Sequence, residues 1–144
     1  MRPATLAEAY QRLNAGVALD VAFSEFLDTF YLAGSPEKMA AAIAAEPPRA
    51  AEPRHDAQAA AAAQYLAQQY KLDEVPAWCF APWRTLKEPW FTAEGASPGV
   101  KEFLWFSSPG EFRSRNIFTE ERPLRRASRA KADRAMGYIA AGGG

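Results

Sequence analysis

The sequence contains a single cysteine and a single histidine among its 144 residues. One cysteine excludes an internal disulfide and a multi-cysteine metal site, and it fits the reducing cytoplasm, where we expect the protein. One histidine excludes the paired-histidine motif of zinc proteases, and the glycine-rich phosphate-binding motifs and the serine-nucleophile elbow are missing too. We therefore predict no cofactor and no metal ion, and we favour a non-catalytic role over an enzyme.

The sequence also lacks a long apolar run. No segment approaches the roughly 18 apolar residues that cross a bilayer, and the first residues do not form a basic-then-apolar secretion signal. Alternation of apolar and polar residues, which would indicate strands, never extends over a useful length. These absences predict a protein that is neither embedded in a membrane nor built on a sheet.

An excess of charge of one sign is missing as well, since 17 Lys and Arg side chains balance 17 Asp and Glu. Acidic and basic residues are nevertheless unevenly distributed along the chain. Residues 1–112 carry nine basic and fourteen acidic side chains, a net charge of −5, and residues 113–144 carry eight and three, a net charge of +5. The basic end either neutralises its own acidic body, within the molecule or across a homodimer, or contacts another macromolecule.

Signals that begin and end helices recur along the chain. The Thr5-x-x-Glu8 capping box begins a first helix, Ser-Pro pairs begin others, and Asp56 is predicted to cap a fourth. A broad apolar stripe between Phe23 and Tyr31 marks the second helix. The predicted helices span about residues 6–14, 21–33, 36–45 and 57–70, followed by one that begins at Pro98, a short one that ends near Asn116, and a last one over 121–138.

The segment 71–98 differs from the rest, because three prolines interrupt it and it holds three of the four tryptophans. We interpret it as short helical turns held in place by aromatic burial. The predicted fold is all-α: a single-domain, irregular helical bundle of about six helices with an aromatic, proline-interrupted middle segment, over residues 1–138. Residues 139–144 form a glycine-rich tail that we predict to be disordered.

Candidate chemistry is sparse. His55 lies beside Asp56 at a predicted helix start, and Cys79 lies between two aromatic residues. A loop histidine and a small buried apolar cysteine explain both residues, whereas a catalytic role needs partner groups that the sequence does not supply. The tryptophans, with Trp83 and Trp90 as candidates, either fill a core or form a ligand cage, a base-stacking surface or an anchor for a protein.

The most distinctive local sequence is the run Phe112-Arg-Ser-Arg-Asn-Ile-Phe118. A structural interpretation places Arg113 and Arg115 near a helix end, where cations favour the helix dipole, and Asn116 at a left-handed cap. A functional interpretation adds guanidinium groups that grip phosphates or carboxylates in a bidentate manner. The candidates for partner binding are Arg113, Arg115, Asn116, Arg122, Arg125, Arg126, Trp83 and Trp90.

Several of these runs together resemble a group of small, sparsely characterised bacterial proteins. The most specific block is Ser108-Pro-x-x-Phe-Arg-x-Arg-Asn-Ile-Phe118, within a similarity that extends from about Phe23 to Ala127. Members of that group often carry an N-terminal helix-turn-helix and resemble the regulator or antitoxin halves of two-gene modules. The resemblance implies a protein partner that is encoded nearby. The 22 residues before Phe23 are too short for a helix-turn-helix domain, so DNA binding by that route is not implied for this chain.

The sequence thus predicts a cytoplasmic interaction protein, antitoxin-like or regulatory, with a protein as its partner. One alternative is a nucleic-acid-binding protein that uses the basic C-terminal end, and its binding would fall steeply with salt. The other is a small-ligand binder or an enzyme that uses the Trp-rich middle segment. A deep pocket that brings Trp83, Trp90, a carboxylate and His55 together would favour this last alternative, and a filled core there would contradict it.

Overall fold

The computed structural model describes residues 2–135, which are almost entirely helices and connecting loops. The prediction of an all-α fold is therefore confirmed. The predicted end of the last helix at residue 138 and the predicted tail over 139–144 lie outside the described residues. In chain order the elements are α1 (Leu6–Asn14), α2 (Leu19–Tyr31), α3 (Pro36–Ala44), α4 (Pro53–Gln69), a first 3₁₀ helix (Ala77–Phe80), a second 3₁₀ helix (Pro82–Arg84), β1 (Trp90–Phe91), α5 (Pro98–Ser107), α6 (Gly110–Arg113), β2 (Ile117–Phe118) and α7 (Ala127–Ala135).

The described residues fall into two compact units. The first unit comprises residues 2–50, 70–73 and 125–135, and the second unit comprises residues 51–69 and 74–124. The first unit therefore holds α1, α2, α3 and α7, and the second holds α4, α5, α6 and the short elements. Compact units of this size can belong to one domain or to two, so the single-domain prediction stays a prediction.

The helix signals near the start of the chain have the predicted effect in the first unit. The hydroxyl of Thr5 accepts the backbone N–H of Glu8 at 3.1 Å, and the Glu8 carboxylate accepts the N–H of Ala4 at 2.8 Å. Two N–H groups that the helix cannot pair are thereby satisfied, and α1 has the predicted bounds. The α2 helix begins and ends two residues before its predicted bounds, a difference within the usual range for helix ends.

An aromatic cluster forms the core of the first unit. Phe26 and Phe30 on α2 are fully buried. The Phe30 ring meets Tyr31 and Tyr70 edge-on, each with ring centroids 5.8 Å apart, and lies 6.1 Å from Phe26. The Tyr70 hydroxyl donates to the carboxylate of Asp133 on α7 at 2.8 Å, and burial together with this hydrogen bond raises the pKa of Tyr70. The cluster thus joins α2 to α7 through both apolar and polar contacts.

The second unit is built around α4, which differs from its prediction at the start. The helix begins at Pro53 rather than Ala57, because proline at the first helical position loses no hydrogen bond there. Asp56 is therefore a buried residue of the first turn, and its prediction as the cap was wrong. The alanine run 59–63 is fully buried, and α4 packs against α6 and both 3₁₀ helices. Small side chains allow this close approach of several elements.

The proline-interrupted segment has the predicted form of short helical turns. The two 3₁₀ helices cover Ala77–Phe80 and Pro82–Arg84, and a two-residue strand follows. This strand, β1, pairs in parallel with β2, with Trp90 beside Ile117 and Phe91 beside Phe118. The pairing is long-range in sequence and too short to show in a residue pattern.

The start of α7 was also predicted wrongly. The helix begins at Ala127, six residues after the predicted start at Glu121. Pro123 disfavours the helical conformation for the residue that precedes it, and Leu124 has a left-handed φ of 65°. The chain between β2 and α7 is therefore irregular. Among the helices of residues 2–135, none has both the length and the apolar composition to cross a membrane.

We predict that Phe30→Ala lowers the free energy of unfolding by about 3–5 kcal/mol, because it leaves a cavity in the aromatic cluster. The control is Phe106→Ala, which removes the same side chain from a position that is 72% exposed, and we expect it to cost less than about 0.5 kcal/mol. Urea denaturation followed by circular dichroism measures both. Similar losses for the two variants would contradict the assigned core.

Candidate partner-binding surface

Arg115 is the centre of the polar contacts in the second unit. It is only 4% exposed. Its guanidinium donates to the side-chain oxygen of Gln64 at 2.6 Å, to the carbonyl oxygen of Glu111 at 2.8 Å and to that of Cys79 at 2.8 Å. Burial lowers the pKa of Arg115 from its ordinary value, although arginine remains charged in proteins. A single side chain thereby joins α4, α6 and the first 3₁₀ helix.

Asn116 connects the same region to the segment that precedes β1. It has a left-handed φ of 64°, as predicted, and its side-chain amide donates to the carbonyl of Leu86 at 2.7 Å. The N–H of Leu86 donates to the carbonyl of Arg115 at 3.1 Å, and the N–H of Trp90 to that of Asn116 at 2.8 Å. Asparagine tolerates this backbone conformation better than most residues. The distinctive run of the sequence therefore has a structural role here.

Ser108 and Thr119 lie on either side of the distinctive run Phe112–Phe118 and are hydrogen-bonded to each other. The Ser108 hydroxyl donates to the carbonyl of Thr119 at 2.9 Å and accepts the N–H of Thr119 at 2.8 Å. Both residues are buried, and so are Ile117 and Phe118 between them. The run therefore folds back on itself, and its apolar residues turn inward.

Arg113 differs from Arg115 because it is exposed. Its guanidinium lies 3.5 Å from the carbonyl oxygen of Trp105 and 3.4 Å from that of Phe106, at the C-terminal end of α5. A cation is favourable at this end of a helix. The sequence predicted such a position at the end of the short helix that contains Arg113, and the contact with α5 was not predicted. Of the three polar candidates in the run, Arg113 is thus the one whose surroundings leave it open to a partner, while Arg115 is inside the unit and Asn116 is half-buried.

The candidate tryptophans lie against arginines of their own unit. The fully buried Arg84 places its guanidinium carbon 4.1 Å from the ring centroid of Trp83 and 4.8 Å from that of Trp78. Its Nη1 also donates to the carbonyl of Asp56 at 3.1 Å. Arg54 lies 5.3 Å from the ring centroid of Trp90. These cation–π contacts use ring faces that a ligand cage or a base-stacking surface would present.

The two catalytic candidates occupy different surroundings. His55 is half-buried near the start of α4, with its Nε2 3.5 Å from the carboxylate of Glu52. Cys79 is buried, and its carbonyl oxygen accepts from Arg115. The cysteine therefore occupies the interior position that its apolar neighbours predict.

The remaining candidates belong to the basic C-terminal end. Arg122 and Arg125 are exposed. Arg126 forms a bidentate ion pair in the first unit: its Nε lies 3.0 Å from Asp28 Oδ1 and its Nη2 2.7 Å from Oδ2. The Ser128 hydroxyl donates to the same carboxylate at 2.7 Å. The hydrogen bonds from Arg126, more than that from Ser128, lower the pKa of Asp28 to about 2, although partial burial opposes them.

A group of exposed apolar side chains on α5 was not predicted from the sequence. Four large apolar residues of the ten-residue helix α5 are exposed, and Phe103 and Phe106 reach 63% and 72%. We call three of them the α5 face, because they recur every three residues on one side of the helix: Val100, Phe103 and Phe106. Trp105 lies on the other side of the helix. Phe103 and Phe106 also line an open groove of about 430 Å³ with Gly99, Glu102 and Ser107. The composition of residues 100–106 could have predicted this exposure. Five of these seven residues are apolar, which is more than one buried stripe of a helix accommodates.

The opposite side of α5 is packed into the second unit. Leu104 is buried, and the Trp105 ring stacks on Phe118 with centroids 4.5 Å apart and planes 6° from parallel. Phe118 in turn stacks on Phe91 of β1 at 5.0 Å. The inward side thus holds the helix in place, while Phe103 and Phe106 remain exposed.

No protein-family model, curated protein or solved structure matches this chain. Within residues 2–135, no group of three or more His, Cys, Asp and Glu side chains is arranged to hold a metal ion.

We predict that Arg115→Ala lowers the free energy of unfolding by at least about 3 kcal/mol, because it empties a buried position and leaves one buried and two half-buried acceptors without their donor. Arg113→Ala serves as the matched control, and we expect a loss of less than about 1 kcal/mol since this side chain is exposed. If Arg115→Ala fails to fold, Arg115→Lys retains the charge but cannot reach all three acceptors. Urea denaturation measures the losses, and a fully stable Arg115→Lys variant would contradict the assigned role.

We predict that the ion pair of Asp28 stabilises the fold at neutral pH and loses this effect in acid. The pKa of Asp28 in the fold is about 2 against an ordinary value of 3.8, so the stabilisation is complete above the ordinary value and disappears as the pH falls through the lower one. After allowance for solvent screening it is on the order of 1–2 kcal/mol.

The measurement is the difference in unfolding free energy between the wild type and Asp28→Asn across this range. Most of the fall in that difference is expected between about pH 4 and pH 2. A difference that is independent of pH would contradict the assigned pair.

Proposed function

We propose that this protein is a protein-interaction module that binds its partner through the α5 face. The observation that carries the proposal is the exposure of Val100, Phe103 and Phe106 on one side of a short helix. Soluble monomeric proteins rarely expose contiguous apolar patches of large side chains, and such patches on a polar surface are typical of docking sites. Aromatic residues and arginine are also the residue types enriched at protein interfaces.

The α5 face has the composition of a protein interface centre. Phe103 and Phe106 are separated by one helical turn, so both rings project from the same side of α5. Lys101 and Glu102 are exposed on the same helix, which gives apolar residues flanked by one charge of each sign. Arg113 adds a guanidinium at the C-terminal end of α5. An apolar centre with a mixed-charge rim favours a protein surface over a polyanion.

The placement of the basic residues supports the same choice. A nucleic-acid interface needs several arginines free to contact phosphates. Arg115 is buried among three acceptors, and Arg126 is paired with Asp28. The aromatic rings of Trp83 and Trp90, which a base-stacking surface would use, lie against arginines of the second unit. A protein partner requires none of these groups.

The resemblance to regulator and antitoxin halves of two-gene modules supports a specific type of partner. In such a module the partner is the product of the adjacent gene. We therefore propose an antitoxin-like or regulatory role, in the cytoplasm, with a partner encoded beside this chain.

We predict that the double variant Phe103→Ser, Phe106→Ser loses the partner. The wild type and the double variant are each co-expressed with the neighbouring genes, and native mass spectrometry detects the complexes. Removing two aromatic anchors from the centre of an interface should weaken binding at least about 30-fold. The control variant Val17→Ser, Val21→Ser removes two exposed apolar side chains of the first unit, and it should bind like the wild type.

Three results would overturn this proposal. One is a complex that survives the Phe103 and Phe106 substitutions, and another is the absence of a complex with any neighbouring gene product. The third is a homodimer that the same substitutions disrupt, because it would show that a second copy of this chain covers the α5 face. Circular dichroism of each variant confirms that loss of binding is not loss of fold.

A further inference from the structure

A second surface, in the first unit, has the opposite character to the α5 face. An open groove of about 370 Å³ lies beside the start of α7. Three of its residues are cations and one is a carboxylate. The lining residues are Arg2, Asp28, Leu32, Arg126, Ala127, Ser128 and Lys131. We call this groove the basic groove.

One oxyanion, the carboxylate of Asp28, is already bound in the basic groove. Arg126 grips the carboxylate of Asp28 with two nitrogens, and the Ser128 hydroxyl donates to the same carboxylate. A guanidinium fork with an adjacent hydroxyl is the arrangement that proteins use for carboxylates and phosphates. Here one wall of the groove is occupied by an anion of the chain itself.

No carboxylate of the described residues is hydrogen-bonded to the other two cations of the basic groove, Arg2 and Lys131. Both side chains are exposed. The charge of Arg2 acts on Asp28 and helps to lower the pKa of that carboxyl, but without a hydrogen bond to it. Asp28 neutralises one of the three cations, so the groove carries a net charge of +2. A dianion matches this charge, whereas a carboxylate would neutralise half of it.

We infer that the basic groove binds a dianionic phosphate group, with Arg2 and Lys131 as the cations that pair with it. Arg126 and Ser128 form the adjoining wall and remain bonded to Asp28. The volume of the groove exceeds that of a phosphate ion and falls in the range of small-molecule sites, and Leu32 contributes an exposed apolar side chain to its wall. A phosphate monoester of a small molecule therefore fits better than the free ion. This inference is independent of the α5 face.

The test is a titration of the full-length, ¹⁵N-labelled chain by NMR at about pH 7.5, where a phosphate monoester is mostly dianionic. Inorganic phosphate and O-phosphoserine are the probes, and chloride holds the ionic strength constant. We expect saturable shifts of the amides of Ala127, Ser128 and Lys131, with a dissociation constant on the order of 1 mM. Tighter binding of O-phosphoserine would identify a phosphate monoester as the ligand class, and equal binding would identify the phosphate group alone.

The variants give effects of opposite sign. Arg2→Gln and Lys131→Gln should each weaken phosphate binding about fivefold, because each removes one cation. Asp28→Asn should strengthen it about fivefold, because it removes the competing carboxylate and releases Arg126. Lys38→Gln, an exposed lysine of α3 in the same unit, should leave the affinity unchanged. The spectrum of each variant also reports whether the first unit retains its fold.

Several outcomes would overturn the inference. Shifts that grow linearly without saturation, or that chloride reproduces, would show only ionic screening. If the wild type and the Arg2→Gln, Lys131→Gln double variant bind phosphate with equal affinity, Arg2 and Lys131 are not the cations that bind it. Acetate binding as tightly as phosphate would contradict the preference for a dianion. Weaker binding by a folded Asp28→Asn variant would show that Asp28 supports the anion site instead of competing with it.

Discussion

The second unit depends on the burial of the Arg115 guanidinium. A buried cation is stable only when its donors are paired, so its acceptors must be held at fixed positions. Gln64 on α4, Glu111 on α6 and Cys79 on the first 3₁₀ helix supply them. The backbone of Arg115 itself accepts from Leu86, and this contact leads into the pairing of β1 with β2. The most distinctive run of the sequence thus connects the elements of the second unit through the buried side chain and the backbone of Arg115.

The segregation of charge along the sequence has a partly internal explanation. In the first unit, Arg126 pairs with Asp28, an acidic residue of the chain's other half, and Arg129 lies 5.9 Å from the ring of Tyr31. These contacts join α7 and the residues before it to α2. Internal neutralisation and binding of another molecule are nevertheless compatible, because Arg2 and Lys131 line the same groove as this carboxylate without a hydrogen bond to it, and only the charge of Arg2 acts on it. Position within the unit, rather than the net charge of a segment, decides which cations are available.

Local signals predicted the parts of the fold that local physics controls. The Thr5 cap fixed the bounds of α1, and Asn116 adopts the left-handed backbone that its side chain tolerates. The interior position of Arg115 was not predictable, because its acceptor Gln64 is 51 residues away in sequence and no periodicity connects them. The early start of α4 at Pro53 and the late start of α7 were missed for a related reason. Each depends on whether a proline begins a helix or prevents one, and the local sequence is compatible with both.

The α5 face illustrates how an excess of apolar residues is divided between stability and binding. A short surface helix needs one apolar stripe to pack, and Leu104 with the stacked ring of Trp105 provides it. Phe103 and Phe106 add nothing to that packing, yet they sit on a helix whose inward side and C-terminal end are both held, the latter by Arg113. Side chains on a fixed helix lose little conformational entropy on binding. Exposed aromatics in this position cost solubility, and the gain that offsets this cost is a preorganised surface for a partner.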